Sequence, residues 1–221
     1  LFGQWDWRGT PVMPPELMLL PPWAAFSLYK FASWARATIV PMLIILTQHP
    51  TRSIPVELGL DELYLEARAS ADLSIPGRGG NLFSLERAFL MADKLLRFHE
   101  KLPWKPLRRL ALRRVERWIK THQEADGSWG GIQPPWVYAL IALSNLGHSL
   151  DEPVMARGLE GFRRQWSLSS EDGRALRVQA CLSPVWDTAL AVRGLLDSGL
   201  PGEHEAIQRA TAYEKAGADA I

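Results

Sequence analysis

The stretch Gln123-Glu124-Ala125-Asp126-Gly127-Ser128-Trp129-Gly130-Gly131-Ile132-Gln133-Pro134-Pro135-Trp136-Val137-Tyr138 joins a helix end, a glycine turn and an aromatic corner. Before it, Leu107 to Gln123 carries apolar residues at helical spacing and delivers Trp118-Ile119 to the helix end, so Gln123 falls at a C-terminus. There its carboxamide is expected to satisfy orphan carbonyls, while Gly127 permits the turn that lays the Trp129 indole back against the helix. Gln123, Gly127 and Trp129 together read as a strut. After it, the next helix is expected from Pro135 to Leu146.

Outward from this corner, segments of helical period alternate with Pro and Gly punctuation, and no run shows clear strand alternation. The sequence reads as all-α. Leu1 to Pro22 is a Pro-rich loop around a short helix near Glu16 to Leu20. A buried helix is expected from about Phe26 to Leu46, kinked or broken at Pro41, where the ring removes an amide donor. Its apolar part, Ala37 to Leu46, is shorter than the roughly 20 residues of a membrane crossing. Gln48 to Gly80 reads as a long connection with a helical turn around Glu57 to Glu66. Asn81 to Lys101 then reads as an amphipathic helix, with Leu82, Phe83, Leu85, Phe89, Leu95, Leu96 and Phe98 against Arg87, Lys94 and Arg97. Val154 to Trp166 and Trp186 to Ser198 are further helices, separated by a polar loop from Ser167 to Arg174. Helices of this length, with marked corners, predict an α/α toroid of inner and outer helices, incomplete in this chain.

Composition narrows the function. The 221 residues are 47% apolar and 22% charged, which places the protein among globular ones. Lys plus Arg (25) nearly cancel Asp plus Glu (24), so no field points to nucleic acid. The five His are scattered singly, none at metal-ligand spacing, and none is a catalytic candidate. Cys181 has no internal disulfide partner, and the opening Leu1-Phe2-Gly3 lacks an initiator Met and a signal segment. The expectation is an intracellular chain whose natural start is missing. Ten Trp is a large share, and fits either an aromatic wall or indoles that pin helix corners.

Four blocks carry a resemblance: Val12-Met13-Pro14-Pro15-Glu16, Ser33-Trp34-Ala35-Arg36-Ala37-Thr38, Asp126 through Tyr138, and Ser183-Pro184-Val185-Trp186-Asp187-Thr188. With the Gln-to-Trp strut they make the sequence resemble the squalene-hopene cyclases, from about Val12 to Gln208. The resemblance therefore implies a partial α/α-barrel region over 1–208 and a divergent tail over 209–221. In the tail, Ala216-Gly217-Ala218-Asp219-Ala220-Ile221 is more like a helix-to-strand junction of an isocitrate-lyase-type barrel.

The implied chemistry is a cationic cascade on squalene, giving hopene or hopanol without metal or organic cofactor. It requires a strong acid, a dry mould and electron-rich faces, because an aromatic quadrupole stabilises a cation without being basic. Trp34 and Trp186 match cavity-wall aromatics of the family, and Tyr138, about one helical turn beyond Gln133, is expected at the cavity too, near enough to join the network of Gln133. Gln133, with Ile132 and Pro134, matches the residues that orient a water where the last cation loses a proton; the other reading is that Gln133 caps the helix starting near Pro135. Asp187 is either an acid behind the cavity wall that holds its partners in place or the N-cap of its helix. Arg36 is either an ion-pair partner or a solvated helix residue.

The family's proton donor lies in an Asp-x-Asp-Asp-Thr motif, and neither that motif nor a magnesium-binding Asp-Asp-x-x-Asp occurs in this sequence. The expectation is a fragment inactive by itself, with the donor on a segment that follows the matching one. Resemblance further implies a peripheral, monotopic position on the cytoplasmic side of the membrane through the Asn81–Lys101 helix, and allows a homodimer. The bland alternative is that this helix packs its apolar face on its own protein. Two other readings remain at this level: a non-catalytic membrane-associated α-toroid that only binds, and a prenyltransferase-type toroid, for which Cys181 lacks a nearby His in sequence.

Overall fold

The computed structural model describes residues 1–24, 26–74, 84–170, 173, 175–181 and 184–218, with side chains omitted at 85, 165, 166, 184, 185 and 213–218. The protein divides into two compact units, Leu1–Val178 and Gln179–Ile221. In the first, helices α1 (Ser33–Gln48), α2 (Leu85–Lys101), α3 (Arg108–Thr121), α4 (Gln133–Asn145) and α5 (Pro153–Gly161) follow in order. A π-helical turn at Phe162–Trp166 leads from α5 into a two-stranded antiparallel hairpin, β1 (Ser167–Ser169) and β2 (Leu176–Val178). The second unit holds α6 (Pro184–Asp197) and α7 (Glu205–Ala218), packed on each other.

α1 is the centre of the first unit, lying against both α3 and α4. It is apolar on most of its circumference, and Ala37, Val40, Leu43, Ile44 and Ile45 are buried against Val115, Trp118 and Ile119 of α3 and Trp136, Ala139 and Leu143 of α4. Pro41 neither ends nor divides it: the helix runs on to Gln48, with Pro41 itself fully buried. The lost amide costs about 3 kcal/mol. Burying each neighbouring Val, Leu or Ile returns about 1.5 to 3 kcal/mol, so packing on two sides outweighs the broken bond.

Other expectations change at the element ends. Residues 28–30 form a separate 3₁₀ turn ahead of α1, because the buried Ser27 hydroxyl accepts from the Tyr29 amide and caps it. The polar loop after α5 is the β1–β2 hairpin, contrary to the strandless reading. Three residues per strand are too few to show a periodicity, and the pairing is local, with the Ser170 amide donating to Ala175 O. The connection after α1 is tied down by Gln4. Its Oε1 accepts from the Leu60 amide and from Arg68, and the Tyr64 hydroxyl donates to its carbonyl.

The amphipathic helix begins, as described, at Leu85, with Ser84 as its cap; Asn81, Leu82 and Phe83 lie outside the described residues. α2 is moored by polar contacts. Asp93 accepts from the Val12 amide, and Arg97 donates to the carbonyls of Arg8 and Thr10. In the second unit α7 passes without interruption through the 208/209 position where the resemblance ends. Ala216, Gly217 and Ala218 are helical, and residues 219–221 lie outside the described part.

Candidate cavity-wall site

The turn between α3 and α4 is built on side-chain hydrogen bonds and on glycines of the turn itself and of α5. The Trp129 indole, buried, donates to the Ile119 carbonyl at 2.7 Å, and so satisfies an orphan acceptor in the last turn of α3. Gln123 does something other than expected. Its amide donates to Gly127 O at 3.2 Å and to Val154 O at 2.8 Å, so it links the turn to α5 and leaves its own helix end to Trp129 and His122.

Gly127 has φ +91°, and a Cβ there would stand 2.4 Å from the Arg157 carbonyl. α5 presents two further glycines to the same corner. A Cβ on Gly161 would lie 2.1 Å from Asp126 O, and one on Gly158 would lie 3.3 Å from the Trp129 ring. The buried Trp136 indole donates to Gly158 O at 3.0 Å, so both indoles are clamped against a helix face bare of side chains. Glu124, for which the sequence suggested no role, closes the turn. Its carboxylate accepts from the Ser128 hydroxyl and the Gly130 amide.

This corner sets Gln133 beside the start of α1. Gly130 packs so closely that a Cβ on it would fall 3.0 Å from the Ala37 Cβ, 3.6 Å from the Trp34 Cα and 3.8 Å from the Pro135 ring. Gln133 is itself the first residue of α4, with Ile132 in the capping position and no side-chain cap bond. The capping reading of Gln133 is therefore corrected. A helix opening Gln-Pro-Pro loses nothing by its prolines, since first-turn amides have no intrahelical acceptor. The half-buried Gln133 carboxamide has no hydrogen-bond partner among the described residues. Ile132 is half-buried and Pro134 exposed.

Tyr138 is half-buried against the core. Five residues along a helix, it diverges from Gln133 by about 140°, and no hydrogen bond joins the two. Trp34, in the first turn of α1, is 57% exposed, and Trp23, Phe26 and Phe31 of the preceding segment are exposed with it. Arg36 resolves between its two readings in a third way: its guanidinium lies over the Tyr29 ring, 5.4 Å from the centroid.

In the second unit, Trp186 is 71% exposed on the first turn of α6. Asp187 lies inside that turn, three residues past the helix start at Pro184, so it is not the N-cap. A carboxylate there still complements the positive end of the helix dipole.

Two hollows in the first unit are lined by other residues. One, about 560 Å³, is lined by both charged and apolar residues and includes Trp7, His49, Arg97 and Arg108. The other, about 350 Å³, is apolar and includes Phe2, Leu140, Ile141 and Leu159. Among the described residues no group of three or more His, Cys, Asp or Glu is placed to hold a metal ion. No described helix is long and apolar enough to cross a membrane.

A family model described as the squalene-hopene cyclase N-terminal domain matches residues 1–171. Dammaradiene synthase of Dryopteris crassirhizoma is 38% identical over 210 residues, which are 95% of this chain and 30% of that protein. The squalene-hopene cyclase of Alicyclobacillus acidocaldarius is likewise 38% identical over 210 residues, covering 95% of this chain and 32% of its own length. A terpene cyclase-glycosyl transferase fusion protein of Humicola fuscoatra is 38% identical over 212 residues, 90% of this chain and 16% of the fusion. The chain thus spans about a third of the length of the first two relatives.

Proposed function

Because this chain belongs to the squalene-hopene cyclase family, in the part described by its N-terminal domain, we propose that it supplies part of the wall of a triterpene cyclisation cavity. The observation that carries this reading is the Gly130 contact, which packs the turn before α4 against the first turn of α1, where Trp34 stands, while Gln133 opens α4 with an amide that has no hydrogen-bond partner among the described residues. An indole and a neutral carboxamide are what a cationic cascade on squalene needs from a wall. Each indole face stabilises passing positive charge by roughly 0.5 to 2 kcal/mol when water is excluded. The Gln133 amide orients a water near the final cation without adding a base strong enough to trap earlier ones, with Ile132 and Pro134 shaping its surroundings.

Trp186 and Tyr138 act as further aromatic wall, and Asp187 as a positioning acid. The Gln123, Gly127 and Trp129 strut stiffens the corner that carries Gln133. The helices are those of an α/α toroid completed by segments beyond the matching third. Family membership works against the reading as a binding module without catalysis, and no organic cofactor or metal takes part.

The substrate reaches the wall from a bilayer, with the enzyme peripheral on its cytoplasmic side. Met91, Leu95 and Phe98, which share one face of α2 at i, i+4 and i+7, stand out of the described structure, the arrangement of an interfacial helix. Phe83, also expected on that face, lies outside the described residues.

Because no Asp-x-Asp-Asp stands in these residues, the acid must come from elsewhere. The 221-residue protein, incubated with squalene in detergent micelles, is expected to give no hopene or hopanol by gas chromatography. Product formation by these residues alone would overturn the assignment of the acid to another segment.

A further inference from the structure

α3 opens with an unusual concentration of cations. Arg108, Arg109, Arg113, Arg114 and Arg117 all fall within its first ten residues. Arg108 is neutralised by Glu16 and Glu100. Arg113, Arg114 and Arg117 are exposed and have no ion pair or hydrogen bond from their guanidinium groups among the described residues. These three line one groove of about 490 Å³ together with Leu110, Tyr29 and Met18.

Leu110 connects this groove to an apolar ridge. Trp104, Leu107 and Leu110 are all more than half exposed, on the loop into α3 and its first turn. From Leu110 to Arg113, Arg114 and Arg117, the same helix face passes from apolar to cationic over about 10 Å.

We propose that this face docks on an anionic phospholipid surface, with Trp104, Leu107 and Leu110 entering the acyl boundary and Arg113, Arg114 and Arg117 pairing with headgroup phosphates. The inference rests on the membrane-contact reading above and adds to it a second contact element and a headgroup charge. Charge complementarity selects this occupant: Arg113 and Arg117 at i, i+4 and Arg114 and Arg117 at i, i+3 are like-charged neighbours that repel one another until an anion lies across them. A fork of N–H donors on each guanidinium matches phosphate oxygens in pairs. An apolar protein partner would leave all three cations without a counter-ion.

The test is flotation of the 221-residue protein with vesicles of phosphatidylcholine alone and with phosphatidylglycerol mixed in, at low and high salt. The expected result is tighter binding to the anionic vesicles, on the order of 100-fold for three cations, fading as salt screens it. The combined Arg113→Gln, Arg114→Gln, Arg117→Gln variant, its fold checked by circular dichroism, should lose that preference, and the corresponding triple Lys variant should keep most of it. Binding equally to both vesicles, or a triple Gln variant that still prefers phosphatidylglycerol, would overturn the headgroup assignment and leave the membrane contact standing. Inorganic phosphate that displaces the protein from anionic vesicles at matched ionic strength would assign the groove to a free anion and overturn the headgroup assignment too. Flotation with neither vesicle would remove the membrane contact itself, and this proposal with it.

Discussion

Gly161 illustrates how tightly the corner is built. Its Cα faces the Asp126 carbonyl so closely that Gly161→Ala would put a methyl group 2.1 Å from a backbone oxygen, which cannot move without the turn. We expect a loss of at least about 1 to 3 kcal/mol in denaturant unfolding. Gly194 is the control: it lies within α6 with open space around it, so Gly194→Ala should be neutral or raise stability by about 0.5 to 1 kcal/mol. Equal effects at the two positions would contradict the packing account. Trp129→Phe keeps most of the buried ring but removes the donor to Ile119 O, and should cost about 1 to 3 kcal/mol.

At this scale the sequence is only partly readable. That Gly127 takes a positive φ and that Trp129 folds back on α3 follow from the turn's local chemistry. That Gly158 and Gly161 serve the same corner does not, because their partners Trp129 and Asp126 lie 29 and 35 positions away, in the turn before α4. The Gln123 bond to Val154 O is hidden for the same reason. Glu124 leaves a usable signal, an acid within reach of the Ser128 and Gly130 donors of a glycine turn.

Among elements, α2 and α3 are joined by charge more than by apolar packing. Burial pushes the Glu100 carboxyl up, but the hydrogen bonds and charge of Arg108, with Lys105, outweigh it and hold Glu100 below its ordinary range. A hydrogen bond from Lys120 does the same for Glu116 against a smaller opposing effect of burial. A carboxylate whose folded pKa is depressed contributes stability above its unfolded value, and that contribution is lost as pH falls through the folded value. The melting temperature should therefore fall between about pH 5 and about pH 3, and Glu100→Gln should lower it at pH 7 while flattening the acid limb. A melting temperature that does not change over this range would show that the ion pairs of Glu100 and Glu116 contribute nothing.

Element type is legible wherever the helical period is long, as in α3 and α4. Ends are less so. Pro41 carries a strong local preference that the burial of α1 on two sides overrides, and the strands of the β1–β2 hairpin are too short to leave a pattern. At Gln133 and Asp187, prolines that read as marking a boundary sit inside the first turn, which moves both residues from the cap into the helix.

For the whole molecule, family membership and the mostly helical fold agree with the four sequence blocks, while the chemistry depends on a cavity wider than this third of the family's length. Trp34 and Trp186 are each largely exposed, and on the proposed reading the rest of the wall is contributed by other segments. The exposed face of α2 has the same character.

The most direct measurement places these 221 residues in the Alicyclobacillus acidocaldarius cyclase in exchange for its matching segment and analyses the products from squalene by gas chromatography. The account predicts an active chimera in which Gln133→Ala shifts the balance between hopene and hopanol, and Trp34→Ala or Trp186→Ala lowers turnover by roughly 10-fold or more, as expected when about 1.4 kcal/mol or more of cation stabilisation is lost. A chimera that keeps both its rate and its products with all three side chains truncated would contradict it.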